Sequence, residues 1–273
     1  MRKSPICRMG SLAAFVASIL IVASPDVSTQ SQATTAPEPP AQLGVLAPAN
    51  LAKPRPKAPF DLTGTWLHNS PNGERFDPPA GFKLTAAAQA HYDAAQKATK
   101  EGKVYRNDIG LCWPAGLPIM MTRAWPVSMI QLPNSIFMIQ ELMNAVRIIY
   151  MDGRRHTDPD IVVPSFAGES IGRWEGDTLV IETKNFVDDH HWIHDRLGIP
   201  GSDALHIVER IRMIDNGSRL ENEFSLTDPK NWEGTWKITK FFRRVDDRDI
   251  AENDCLPDLN EHMPSVRSGA NVR

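Results

Sequence analysis

Two stretches of the chain alternate with a period of two. Leu179, Ile181 and Thr183 interleave with Val180, Glu182 and Lys184, and Ile207, Ile211 and Met213 interleave with Val208, Arg210 and Arg212. Successive side chains of a strand point to opposite faces, so each set belongs to one side of a sheet. The pattern predicts strands over 127–132, 136–142, 146–151, 170–174, 178–183, 206–214, 220–226 and 235–243. Between them stand the turn pairs Pro133-Asn134, Asp152-Gly153, Gly176-Asp177 and Asn216-Gly217. Asp-Gly and Asn-Gly are strong hairpin signals. Only 84–101 reads as a long helix: Thr85 suits the N-cap, Leu84, Ala88, Tyr92 and Ala95 share a face, and Gly102 suits the C-terminal stop. Many short strands without a strand-helix-strand rhythm predict a mostly β domain, an antiparallel barrel or sandwich. The segment 185–205 has no clear period, and loops of that length in a compact domain tend to be functional.

The first 60 residues read differently. Arg2, Lys3 and Arg8 precede an apolar run over 9–23, with small residues at Ala23 and Ser24. This is the pattern of a secretory signal peptide over 1–24. Residues 25–59 are rich in Pro and Ala and predict a disordered leader. One domain is expected over 60–262, with a flexible tail over 263–273. The expected location is secreted or periplasmic, with no integral membrane segment once the signal is cleaved. The formal net charge of the 273-residue chain is −3, which argues against a nucleic-acid partner. Of three cysteines, Cys112 and Cys255 lie in the expected domain. In an oxidising compartment they are most simply a disulfide, with free thiols or a catalytic cysteine as alternatives.

The run Asp61-Leu62-Thr63-Gly64-Thr65-Trp66 resembles the Gly-x-Trp opening of calycin-like and lipocalin-like barrels. More specific are Tyr150-x-Asp152-Gly153-Arg154, the run from Ser170-Ile171-Gly172-Arg173-Trp174 to Glu182-Thr183, and the run from Ser202-Asp203-Ala204-Leu205-His206 to Arg210. Together they resemble a large family of secreted bacterial proteins, over about residues 60–256. The resemblance implies a calycin-like antiparallel barrel with a cysteine pair. Some similar secreted proteins cleave lignin-type aryl ethers without a redox cofactor. The sequence departs from the family around Asp188–Asp195: relatives carry a Trp, an apolar residue and one Asp, so His194 stands as an insertion before Asp195.

Five of the eight histidines, 156, 190, 191, 194 and 206, fall within 51 positions. Histidine titrates near neutrality, so the cluster is a candidate acid/base site. Expected catalytic groups are His206, His194, Asp195, Glu209 and Arg154; expected substrate contacts are Trp174, Arg210, His191 and Trp192. A divalent metal on His191, His194, Asp195 and His206 is one reading, metal-free acid/base chemistry another, and a solvated polar loop a third. Strand alternation leaves two choices for the His206 strand. Either Ile207, Glu209 and Ile211 face the core, and Glu209 needs a partner among Arg154, Arg155 and Arg173, or His206 and Arg210 face inward and line a pocket. The second is adopted. The methionines at 120, 121, 129, 138, 143 and 151 are expected to pack the core. No Gly-x-Ser-x-Gly elbow or phosphate-binding glycine loop occurs. The expected function is a secreted enzyme breaking a C–O bond in a small aromatic molecule by acid/base chemistry. A carrier of hydrophobic molecules and an envelope protein that binds a partner are the alternatives, and the oligomeric state is left open.

Overall fold

The structure is a computed structural model. It describes residues 42–256 except 72, 74 and 75, and the backbone of Ser265–Val266. The expected signal peptide, the first part of the leader and most of the tail lie outside the described residues.

Nine strands close into a barrel: β1 (Gly64–His68), β2 (Val127–Leu132), β3 (Ser135–Gln140), β4 (Val146–Tyr150), β5 (Glu169–Glu175), β6 (Thr178–Lys184), β7 (His206–Ile214), β8 (Arg219–Thr227) and β9 (Trp236–Val245). Their order around the ring is β1-β9-β8-β7-β6-β5-β4-β3-β2, with β2 returning to β1. An odd ring cannot be antiparallel throughout. The exception to the expected pattern is β4 and β5, which run parallel, with Ile149 opposite Ser170. A parallel neighbour needs a long crossover, and residues 151–168 supply it. The strand β1, absent from the periodicity, is the segment that carries the Gly-x-Trp resemblance.

The Gly-x-Trp opening has a steric cause. Gly64 sits at φ 142°, and a Cβ there would collide with the Arg244 guanidinium. That guanidinium donates to Thr63 O at 2.7 Å and lies 4.4 Å from the centre of the Trp66 ring. Trp66 is fully buried, its indole N–H donating to Leu62 O at 2.8 Å.

The long helix runs Ala86–Lys100, with Thr85 as its N-cap accepting from the Ala88 N–H at 3.4 Å. Its alanines 88, 95 and 98 are buried. Among the described residues, no helix is long and apolar enough to cross a membrane. Cys112 and Cys255 form the expected disulfide, Cα atoms 5.5 Å apart. Order begins earlier than the composition of 25–59 implied. The one-turn helix Pro48–Leu51 buries Asn50, whose amide donates to Gly44 O at 3.1 Å and to Asp152 at 3.3 Å. Asn134 also donates to Val45 O at 2.7 Å, so a few side-chain bonds hold a segment with little apolar surface.

The barrel interior is filled. Trp66, Met129, Met138, Ile149, Leu179, Ile181, Ile207, Ile211, Leu220, Phe224 and Phe242 are all nearly inaccessible. Across this apolar core runs a belt of polar side chains from six adjacent strands: Arg147, Ser170, Thr183, Glu209, Asn222 and Lys240. Arg147 pairs with Glu209, and donates to Ser170 Oγ at 2.9 Å and Thr183 Oγ1 at 3.0 Å. Asn222 donates to the other Glu209 oxygen at 2.9 Å. A buried charge needs such partners, because desolvation otherwise costs more than the fold can offset. The first of the two alternation choices therefore holds: Glu209 faces inward, and its partner is Arg147 rather than Arg154, Arg155 or Arg173. His206 and Arg210 face outward.

Removing one member of this pair strands the other. Glu209→Leu is expected to lower unfolding stability by about 3–5 kcal/mol, and Arg147→Leu/Glu209→Leu to cost less than the sum of the single changes. Urea unfolding of the three variants measures this. Additive losses would mean the pair is not coupled.

Candidate active site at the covered end of the barrel

The end of the barrel where β1 and β6 finish and β7 and β9 begin is covered by segments 69–126 and 185–205. Phe76, Leu117, Met120, Phe186, Ile193, Ile199 and Leu205 from these segments join the barrel core. Within 185–205 a short ribbon pairs Trp192–His194 with Ile199–Pro200. Its tip turns at Gly198, whose N–H donates to Asp195 O at 3.0 Å. Gly198 has φ 66°, and a Cβ would press 2.8 Å from the His91 carbonyl oxygen of the long helix. Only glycine lets the tip lie this close, and the contact fixes the residues just before it.

Those residues open onto a cleft of about 480 Å³ lined by Phe76, Asp77, Ile119, Thr122, Arg123, Ile193, His194, Asp195, Arg196 and Leu197. Five are ionisable and four supply apolar walls. Arg123 pairs with Asp195 at 2.5 Å. The Leu197 N–H donates to His194 Nδ1 at 3.2 Å, so this nitrogen keeps its lone pair and the neutral ring carries its proton on Nε2. Burial pushes the His194 pKa down, Arg123 and Arg196 push the same way, and Asp195 and Asp77 oppose them. His194 is thus a neutral hydrogen-bond donor in a cleft that also holds two arginines and two carboxylates.

The structure does not bring His194 and His206 together. His206 Nε2 lies 2.9 Å from Glu182 on the outer wall of the barrel, beside His156, which meets Glu169 at 3.1 Å. Burial is the main cause that lowers the His206 pKa, with Glu182 opposing. Arg210 is also outside, paired with Glu175 at 2.9 Å. Arg154 stands at the opposite end of the barrel, bonded to Asp152 and 3.8 Å above the Tyr150 ring. Its guanidinium holds the Asp152 carboxyl down at about 2. Trp174 packs edge-on against Phe60, also away from the cleft. Glu209 is closed inside the barrel.

The residues flanking His194 are structural as well. Trp192 is buried and donates to Asp108 at 2.8 Å. His190 stacks on Trp113 at 3.8 Å, and Asp189 bonds Arg106 at 3.2 Å. His191 is buried, donates from Nε2 to Leu117 O at 2.6 Å and stacks on Phe186. Among the described residues no group of three or more His, Cys, Asp or Glu is arranged to hold a metal ion, and His191, His194, Asp195 and His206, the set of the metal reading, form no such group. Of the expected site residues, His194 and Asp195 share the cleft. Asp77, Arg123 and Arg196 complete it. Asp77 and Arg123 lie in aperiodic segments far away in sequence, and Arg196 is a neighbour that the histidine pattern passed over.

No protein-family model matches the chain, and no curated protein matches it.

His191 provides a pH test of this packing. Burial pushes its pKa down to about 4 from the ordinary 6.5. The unfolded chain then takes up a proton near pH 6.5 and the folded chain only near pH 4. Stability is therefore full above 6.5 and declines as pH falls toward 4, by up to roughly 3 kcal/mol at about 1.4 kcal/mol per pH unit. Unfolding midpoints of wild type and His191→Leu across this window should show the steeper acid decline in wild type. Parallel curves would contradict the burial of a neutral ring.

Proposed function

We propose that the protein is an exported enzyme that breaks a C–O bond in a small, partly aromatic molecule held in the charged cleft, by acid/base chemistry. The observation that carries this reading is the His194 ring, its Nδ1 tied to a backbone N–H, beside Arg123, Arg196, Asp195 and Asp77 in one cleft. A volume of about 480 Å³ lies within the range of small-ligand sites, and Phe76, Ile119, Ile193 and Leu197 suit an aromatic body. The N-terminal charge and apolar pattern supports export.

For an aryl ether with a hydroxyl on the neighbouring carbon, the roles divide as follows. Asp77 takes the hydroxyl proton. The alkoxide oxygen attacks the adjacent carbon, forming a new C–O bond as the aryl C–O bond breaks. The electron pair leaves on the phenolate, which accepts from the His194 Nε2–H and faces the Arg123 and Arg196 charges. Asp77 then returns the proton to the phenolate, giving a phenol and an epoxide with no change in oxidation state. His194 stabilises the leaving oxygen rather than serving as the base, because its lone-pair nitrogen is occupied. Asp195 positions Arg123. Trp66, Phe224 and the Arg147–Glu209 pair fill the barrel interior, so the cargo of a carrier of hydrophobic molecules would have to sit in a surface cleft instead.

The test is turnover of β-hydroxy aryl ethers with a nitrophenolate leaving group, followed by absorbance. Loss of a preorganised donor costs about 10²–10³ in kcat. His194→Ala is expected to fall by that amount, while His194→Gln, which keeps an N–H donor, should fall less, and His206→Ala should stay near wild type. Burial depresses the His194 pKa, so at neutral pH the ring is uncharged and its Nε2–H is the donor. A rate that depends on His206 and ignores His194 would refute the assignment.

A further inference from the structure

We infer that the protein has a second small-molecule site, beside the disulfide, that takes one uncharged planar aromatic molecule. This cleft, also about 480 Å³, is lined by Met120, Met143, Val146, Phe166 and the Cys112–Cys255 bridge, among others. None of its lining residues is ionisable, since both cysteines are oxidised. In the first cleft half of the lining residues are ionisable. The contrast sets the ligand's charge. A charged ligand here would lose its hydration without gaining a partner, so the occupant is neutral.

The walls set its shape. Two thioethers, the disulfide and the Phe166 ring line the same cleft, and sulfur atoms make favourable contacts with the ring edges of an aromatic ligand. Methionine is flexible and adapts to a flat ligand without fixing one outline. Trp113, half-exposed, stands 6.2 Å from Phe166 and already stacks His190 on one face. The cleft is of single-ligand size. Cys112 and Met143 hold the left-handed backbone at φ 68° and 58°, an unfavourable conformation for side chains of this size, and both line the cleft. Val146, 54% exposed, marks its mouth.

The two sites are neighbours. Ile119 lines the charged cleft and Met120 the apolar one, so the single turn Ile119–Met121 is a wall common to both. The apolar site stands whether or not the charged cleft is catalytic, because its lining and its test involve none of His194, Asp195 or Arg123.

The experiment is titration of the full mature chain with N-phenylnaphthylamine, a neutral dye that brightens in apolar surroundings. Saturable one-to-one binding with quenching of Trp113 emission is expected, and Trp113→Phe should remove that quenching while the dye still binds. Val146→Glu, at an exposed strand position that tolerates charge, should weaken binding at least about tenfold, because its carboxylate would have to be desolvated against a neutral ring. Val146→Leu should bind like wild type, and Arg196→Gln, in the other cleft, should leave the affinity unchanged. Thermal unfolding confirms that each variant is folded. No saturable binding, or a Val146→Glu variant that binds as tightly as wild type, would overturn the site. Loss of binding in Arg196→Gln with retention in Val146→Glu would place the dye in the charged cleft and equally overturn it.

Discussion

The Arg147–Glu209 pair is the constraint around which this barrel is built. Two opposite charges with almost no solvent access persist only if every lone pair and proton finds a partner. Ser170, Thr183 and Asn222 supply those partners from three further strands. The belt therefore ties adjacent strands across the barrel interior and fixes their register. It also fills the space a ligand could take. A closed sheet of this kind often encloses a ligand, but here the interior is given to charge pairing and to large side chains. The cleft that holds His194 lies instead on the segments that cover the barrel's end.

Those segments turn a rigid frame into a site. The ribbon Trp192–Pro200 is fixed from three directions: Trp192 bonds Asp108, His191 bonds the Leu117 carbonyl, and Gly198 lies against the long helix. Each anchor is a bond or contact to a different part of the cover. With the ribbon held this way, His194 has one orientation, and the Leu197 N–H gives it one tautomer. Preorganised donors are effective because little rearrangement is needed when charge develops. The neutral state of the ring follows from burial beside two guanidinium groups, so electrostatics and geometry favour the same role.

The alternation in β6 and β7 carried most of the fold, and the paired cysteines were legible from their even number together with the export that the N-terminal pattern implies. Alternation in β7 allows Glu209 inside with Ile207 and Ile211 but does not exclude the opposite face, which was adopted and which the buried Arg147–Glu209 pair overturns. The partner of Glu209 was readable by the same rule, because Arg147 shares a face with Ile149, but a single charged residue in a five-residue strand gives a weak signal. The histidine cluster misled for a physical reason. In 190–194 successive side chains diverge, so His190 stacks on Trp113, His191 enters the core and His194 enters the cleft. Closeness in sequence is not closeness in space for residues on a ribbon. His206 begins a strand whose outward face carries it away from the cover. Asp77 and Arg123 come from aperiodic segments whose positions depend on the whole fold, and no local pattern announces them.

The proposed role of the cover can be tested directly at the imidazole nitrogens. A long-range proton–nitrogen NMR spectrum of the histidine side chains, recorded at neutral pH with and without a nitrophenolate, reports tautomer and ligand contact together. His194 is expected as a neutral ring with its proton on Nε2, and nitrophenolate should shift its signals while those of His206 stay in place. A His194 that is charged, or a ligand that moves His206 and leaves His194 unchanged, would contradict that role.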